Sequence, residues 1–261
     1  MRPVALGYRL ELMNLSDTPP LNVAPIIALD GPAGAGKSTV AVLLAKALDL
    51  PYLDTGAMYR AVGLIAYREG WRAPLDPATD GPEISRLAEG RLRLEPGPDQ
   101  MRVWVDEVEV TQEIRSPECS AMASAVSALS EVRRALVPEQ RRMGLVKGGV
   151  MEGRDIGSVV FPDAALKVFL TASPQTRAQR RFDQLVGRGL TVTYEEVLED
   201  QSQRDFRDSS RADSPLVVAA GAVVVDTSGM TLNEVVERLV GLFFDLVGAD
   251  LPELVNGESK K

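Results

Sequence analysis

The sequence predicts an α/β fold: a doubly wound, five-stranded parallel sheet with an inserted subdomain. Three observations predict it. An apolar run, Ile26 to Leu29, leads through a glycine-rich loop, Gly31 to Thr39, into a helical pattern. Short apolar strands then alternate with capped helices, the rhythm of a parallel sheet with helical crossovers. A long middle section interrupts that rhythm with a hairpin of its own.

The elements follow in order. Pro25 to Asp30 reads as the first strand. Residues 38–49 carry Val40, Ala41, Leu43, Leu44, Ala47 and Leu48, an apolar surface that predicts a largely buried helix. Tyr52-Leu53 is a short second strand. Arg91 to Glu95 and Met101 to Val105 alternate with period two around Pro-Gly-Pro-Asp, which predicts a hairpin. Ser116-Pro117 and Ser173-Pro174 each place an N-cap before a proline at the first helical position. Gly149 to Glu152, Leu166 to Leu170 and Ala222 to Val225 supply the remaining strands. Thr193-x-x-Glu196 and Thr231-x-x-Glu234 are capping boxes, the second opening a helix with Leu232, Val235, Val236, Leu239 and Phe243 on one face. Residues 1–24, which include Thr18-Pro-Pro20, are expected to be a flexible extension, and 248–261 a frayed tail.

Composition removes several chemistries. The chain has no histidine, so His-based acid–base catalysis, His metal sites and Ser-His-Asp hydrolysis are excluded together. Its single cysteine, Cys119, cannot form an intrachain disulfide. A net charge of −8 over 261 residues argues against a general nucleic-acid binder. No apolar run approaches a membrane span and no signal-peptide core is present, so a cytoplasmic location is expected. Only six of the 29 basic residues are lysine, and arginine's planar fork suits phosphate, although a compositional bias towards arginine explains part of that count.

Four segments carry chemistry. Gly31-Pro32-Ala33-Gly34-Ala35-Gly36-Lys37-Ser38-Thr39 matches G-x-x-x-x-G-K-[ST], the P-loop. Backbone N–H groups of such a loop wrap phosphate oxygens at a helix N-terminus. Lys37 would reach the β- and γ-phosphates, and the Ser38 hydroxyl would hold Mg²⁺. Leu53-Asp54-Thr55-Gly56-Ala57-Met58-Tyr59-Arg60 sets a carboxylate and a hydroxyl at a strand end, with an arginine beyond. Taken alone, it reads sooner as a helix N-cap, Asp54 or Thr55, followed by an exposed arginine. Gly153-Arg154-Asp155-Ile156-Gly157 brackets an Arg–Asp pair with glycines after a strand; taken alone, it is equally an ion pair in a turn. Positions 204, 207, 208 and 211 share a helical face carrying three arginines and one aspartate, expected to funnel phosphate. Arg177, Arg180, Arg181 and Arg188 add a second cationic group.

These segments, in this order, resemble the bacterial cytidylate kinases, of the P-loop nucleoside monophosphate kinase type. The resemblance rests on Asp30 to Thr39, Leu53 to Arg60, Glu113-Ile-Arg115, Glu152 to Asp163 and Arg204-Asp-x-x-Asp-x-x-Arg211, and runs from about Ile26 to about Leu239. It implies transfer of a phosphoryl group from ATP to CMP or dCMP, with Mg²⁺ as MgATP. Arg60 and Arg154 would hold the CMP phosphate. Ser124, Arg133 and Asp155 would read cytosine, and Arg204 and Asp208 the ribose. Asp54, Thr55 and Tyr59 would complete the acceptor site. Arg211 would contact phosphate during transfer, and Arg177 and Arg181 would contact ATP from a mobile lid. The implied division is a P-loop core over 25–56, 136–172 and 193–247, a CMP-binding subdomain over 57–135 and a lid over 173–192. A monomer is expected. Thr55 stands where serine is common in the family and keeps the hydroxyl.

The residue types agree with that chemistry independently. Cytosine offers an N4 donor that a carboxylate accepts, and N3 and O2 acceptors that an arginine serves. Uracil would leave the carboxylate unpaired. The attacking phosphate oxygen is already ionised near neutral pH, so the absence of histidine is no obstacle. The rival readings are the same fold acting on UMP or another small acceptor, and a regulatory nucleotide-binding protein. The chain lacks the N-K-x-D stretch expected of the latter.

Overall fold

The computed structural model describes residues 25–97, 99–211 and 213–248. The expected flexible extension (1–24) and all of the expected tail but Gly248 lie outside them.

Five strands form one parallel sheet: β1 (Ile26–Asp30), β2 (Tyr52–Asp54), β6 (Gly149–Glu152), β7 (Leu166–Thr171) and β8 (Val223–Asp226). Their order across the sheet is β2-β6-β1-β7-β8. The strands β1, β2 and β6 are buried along their whole length, as expected where helices cover both faces. The register brings the carboxyl ends together: Leu29 and Asp54 lie opposite Glu152, Asp30 opposite Phe169, and Thr171 opposite Asp226. Ligands of such sheets bind beyond that edge.

On one face, α1 (Lys37–Ala47) and α8 (Leu232–Val247) bury Val40, Leu44, Val235, Leu239 and Phe243 against Ile27, Leu29, Val150, Val168 and Leu170. Both predicted capping boxes form, at Thr193–Glu196 and Thr231–Glu234. On the other face, α2 (Thr55–Arg68) packs against α4 (Pro117–Val126), and Met58, Val62 and Ile65 join Met122, Val126 and Met151 in a second core. The helices α6 (Pro174–Val186) and α7 (Tyr194–Ser210) pair around Ala178, Leu185 and Val197.

The middle section holds α3 (Asp80–Ala88) and a separate antiparallel sheet of β3 (Leu92–Glu95), β4 (Arg102–Val105) and β5 (Val108–Glu109). The expected hairpin is present, with Leu92 opposite Val105. The third strand arises from a tight turn at Asp106-Glu107, where both residues take positive φ (49° and 63°) without the glycine that usually announces such a turn. The helix α5 (Ser130–Lys147) runs unbroken across residues 135 and 136, where the sequence reading set the edge of the inserted subdomain.

Candidate active site

The loop after β1 is forced into its path by packing. A β-carbon on Gly31 would stand 1.9 Å from the Leu170 carbonyl oxygen, so only glycine lets the chain leave the sheet there. Gly36, the N-cap of α1, sits at φ 89° and offers no side-chain cap. The first N–H groups of α1 therefore open onto the loop, the arrangement that binds phosphate. Lys37 is buried, and its Nζ donates to the Pro32 carbonyl at 2.7 Å. Ser38 and Thr39 lie exposed in the first turn. Ala33, Gly34 and Ala35 form the arch between, and Arg177 Nη1 donates to the Ala33 carbonyl at 3.1 Å.

At the neighbouring strand end, Glu152 accepts the Ser38 hydroxyl at 2.9 Å and the Tyr52 hydroxyl, while its carbonyl accepts from Thr55 Oγ1 at 2.7 Å. Burial, and then the nearby Asp54, push the Glu152 carboxyl above its ordinary range. Sequence reasoning gave Glu152 no role, although its place at the end of the third core strand was the available signal.

The side expected to take the acceptor draws its side chains from five segments. Asp54 caps α2, accepting the Ala57 N–H at 3.0 Å, and also accepts Arg60 Nη2 at 2.5 Å. The capping geometry of this segment is therefore present, but its arginine is half-buried against Asp54 rather than exposed. Arg154 follows β6 and donates through Nε to Asp208 on α7 at 2.9 Å. Arg133 on α5 pairs with Asp155, both buried, and also donates to the Ser127 carbonyl at 3.0 Å. The Arg133 guanidinium stands 5.3 Å from the centre of the Tyr59 ring. Ser124 Oγ, Tyr59 OH, Arg133 Nε and two nitrogens of Arg211 are buried without a hydrogen-bond partner among the described residues. Unpaired buried polar atoms are costly, and of these four residues Tyr59, Arg133 and Arg211 share one region of the molecule with Asp155.

The cations repel one another. Burial and then Arg154, with Arg204 beyond, hold the Lys37 amine well below its ordinary value. Burial and then Arg154 draw Arg204 down to about 10. Burial and then Arg133 lower Arg211. Asp208 moves the other way: burial works to raise it, but Arg154, Arg204 and Arg211 outweigh that and hold it low. Buried cations that depress each other form a site for polyanions.

Two expectations change. The predicted face of 204, 207, 208 and 211 does not hold together. The inward face of α7 carries Val197, Gln201, Arg204, Asp205 and Asp208, whereas Arg207 is exposed and donates to the Gln203 carbonyl. At about 100° per residue, Arg207 lies roughly 100° from Asp208, beyond a narrow buried stripe. Arg211 reaches the site from the end of α7, where it ends the helix at ψ 140°. Arg177, expected among the ATP contacts, sits beneath the loop instead: it donates to Ala172 and Ala33 carbonyls and pairs with Asp205 at 2.7 Å. Arg181 bonds Gln184 on its own helix. Arg180, which sequence reasoning gave no separate role, donates to Thr227 at 3.0 Å and approaches the loop, 4.0 Å from where a β-carbon on Gly36 would stand.

With this geometry in hand, comparison with known proteins is decisive. The model of the cytidylate kinase family matches residues 27–244. The chain belongs to the cytidylate kinase family. It is 48% identical to a cytidylate kinase of Caldanaerobacter subterraneus subsp. tengcongensis, covering 84% of this chain and 94% of the relative. It is 49% identical to one of Pelotomaculum thermopropionicum, covering 84% and 96%. A bifunctional pantoate ligase/cytidylate kinase of Synechococcus sp. (strain JA-3-3Ab) is 49% identical over 85% of this chain, which spans only 41% of that protein. Among the described residues, no helix is long and apolar enough to cross a membrane.

Proposed function

We propose that this family member transfers the γ-phosphoryl group of ATP directly to CMP, forming ADP and CDP, and accepts dCMP as well. The observation that carries the proposal is the convergence of mutually repelling buried and half-buried cations, Lys37, Arg154, Arg204 and Arg211, on the loop side of the carboxyl edge. Two phosphate chains brought together there relieve that repulsion, most of all when negative charge spreads over the transferred group.

Each half has its task. The loop from Gly31 to Thr39 and Lys37 hold the ATP phosphates. Arg60 and Arg154 hold the acceptor phosphate, and Arg211 meets the group in transit. Asp155 accepts from cytosine N4, while Arg133 and Ser124 serve N3 and O2. Arg204 and Asp208 take the ribose, with Asp54, Thr55 and Tyr59 framing the pocket. No general base is required, because the attacking oxygen is already ionised; alignment and charge neutralisation supply the rate. The Ser38 hydroxyl and the Glu152 carboxylate are hard oxygen donors lying together at the end of the loop, which fits Mg²⁺. Mg²⁺ bound with ATP neutralises phosphate charge there. Among the described residues, no group of three or more acidic, histidine or cysteine side chains gathers where it could hold a metal ion.

Residues 57–135 serve as the acceptor subdomain and 173–192 as the lid that closes and excludes water. A monomeric, cytoplasmic enzyme completes the reading; the single cysteine, Cys119, forms no intrachain disulfide and suits a reducing compartment. The test is an acceptor panel with ATP and Mg²⁺, reading ADP release. CMP and dCMP are expected to turn over at least about 100-fold more efficiently than AMP or GMP. Equal use of all four, or of none, contradicts the proposal.

A further inference from the structure

The turn that carries Arg154 and Asp155 is held by a residue far away in sequence. It runs from the end of β6 into a single π-helical turn, Ile156–Val160, whose N-cap is Asp155. An aspartate at that position ordinarily caps its own helix. Asp155 does not: its side chain makes no cap bond, and its carboxylate is engaged with Arg133. The vacant capping task falls to Asp30, the last residue of β1 and the neighbour of Gly31. Its Oδ1 accepts the Ile156 N–H at 2.8 Å, and its Oδ2 accepts the Gly157 N–H at 2.7 Å, across 126 and 127 residues. A backbone bond from Gly153 N–H to the Leu29 carbonyl at 3.1 Å fastens the start of the same turn.

We propose that Asp30 is a positioning residue for the acceptor: by capping the Ile156–Val160 turn from the next strand, it releases Asp155 to face the base and sets Arg154 in register with the P-loop. The inference rests on the cytidylate kinase reading of the site and names a device within it. Burial pushes the Asp30 carboxyl up to about 6, with the two N–H bonds and Lys37 opposing and Asp155 adding to the rise. The group is thus kept ionised at neutral pH against the preference of its surroundings.

Asp30 makes no hydrogen bond to the nucleotide loop and meets it only through the charge of Lys37. Both carboxylate oxygens point to the turn after β6, and neither bonds a loop N–H from Gly31 to Thr39. Loss of the carboxylate therefore loosens the acceptor half first. Asp30→Asn keeps the size but turns an amide donor towards one of the two N–H groups. Asp30→Glu keeps the charge but moves the carboxylate one methylene further out.

Steady-state kinetics of both variants, with CMP and ATP varied separately, test the proposal together with amide exchange. Both variants are expected to raise KM for CMP by about tenfold or more and to lower kcat, with KM for ATP within about threefold of wild type. A fall in active fraction or melting temperature with both KM values unchanged overturns the proposal in favour of a structural role. A rise in KM for ATP alone overturns it in favour of a loop role. If a variant does not fold, the wild-type enzyme still decides: the Ile156 and Gly157 amides are expected to exchange slowly, as capped groups do, and fast exchange of both overturns the proposal. Failure of the wild type to phosphorylate CMP would be a failure of the functional reading instead, and the exchange measurement would still report on Asp30.

Discussion

The two halves of the site are made in different ways. The donor half is one continuous stretch, Gly31 to Thr39, whose binding groups are mostly backbone N–H, with Lys37 as the one buried charge. The acceptor half has no such stretch. It is assembled from α2, α4, α5, the turn after β6 and α7, through side-chain pairs such as Arg133–Asp155 and Arg154–Asp208. Backbone binding suits a ligand feature common to all nucleotides, the phosphate chain. Discrimination between bases needs donors and acceptors placed individually, and side chains on several elements supply them. The difference teaches where variation is tolerated: the donor half depends on a path of the chain, the acceptor half on pairwise geometry.

Substitutions can break or sharpen that contrast. The largest effect is expected at Lys37, the only side-chain cation of the donor half that enters the loop itself. Lys37→Ala should lower kcat by about three orders of magnitude, on the order of 4 kcal/mol, with little change in melting temperature, because the amine is already disfavoured in its site. Near-normal turnover would remove the donor half from the mechanism. On the proposed acceptor side, Arg211 has two buried nitrogens without hydrogen-bond partners among the described residues, and the proposal gives them to the transferred group. Arg211→Ala should cost about 100-fold in kcat while leaving KM for both substrates within a few-fold, and a pure KM effect would assign Arg211 to ground-state binding.

A third effect lies at the joint between the halves and is read in stability. The folded carboxyl of Asp30 is raised from 3.8 to about 6. Its protonated form therefore contributes stability below pH 4, and that contribution is lost as pH rises through about 6. Relative to Asp30→Asn, the wild type should lose about 2 to 3 kcal/mol of unfolding free energy between pH 4 and pH 7. Parallel pH profiles from chemical denaturation of the two proteins would contradict the shift. The smallest effect is expected at Arg207, exposed on α7. Arg207→Ala should change kcat/KM for CMP by less than about twofold, and a large loss would restore it to the phosphate funnel.

The same contrast decides how much could be read from sequence. The sheet, the capped helices and the donor loop were legible because each is signalled locally, by an apolar run, a cap or a glycine spacing. The acceptor residues were legible as separate segments only. Nothing near Asp155 announces its pairing with Arg133, 22 residues earlier, and nothing near Ile156 announces a cap from Asp30. The helix α5 was also hidden, because Pro138 stands inside it as an apparent breaker. Arg207 was drawn into the site because helical spacing admits positions up to about 100° apart, and only packing shows how narrow the buried stripe is. Arg177 was placed on the nucleotide because a sequence shows a cation without showing that Asp205 and two carbonyls occupy it.

The central claim is that the base is chosen by Asp155 in the acceptor half, independently of the donor half. Measuring kcat/KM for CMP and for UMP, and KM for ATP, in the wild type and in Asp155→Asn tests it most directly. The asparagine preserves shape beside Arg133, but its amide can turn to donate to the uracil carbonyl as readily as its Oδ1 accepts from cytosine N4. The account predicts that the preference for CMP over UMP falls by about 100-fold or more while KM for ATP stays within about twofold. An unchanged preference accompanied by weakened ATP binding would contradict it and move Asp155 to the metal and donor side.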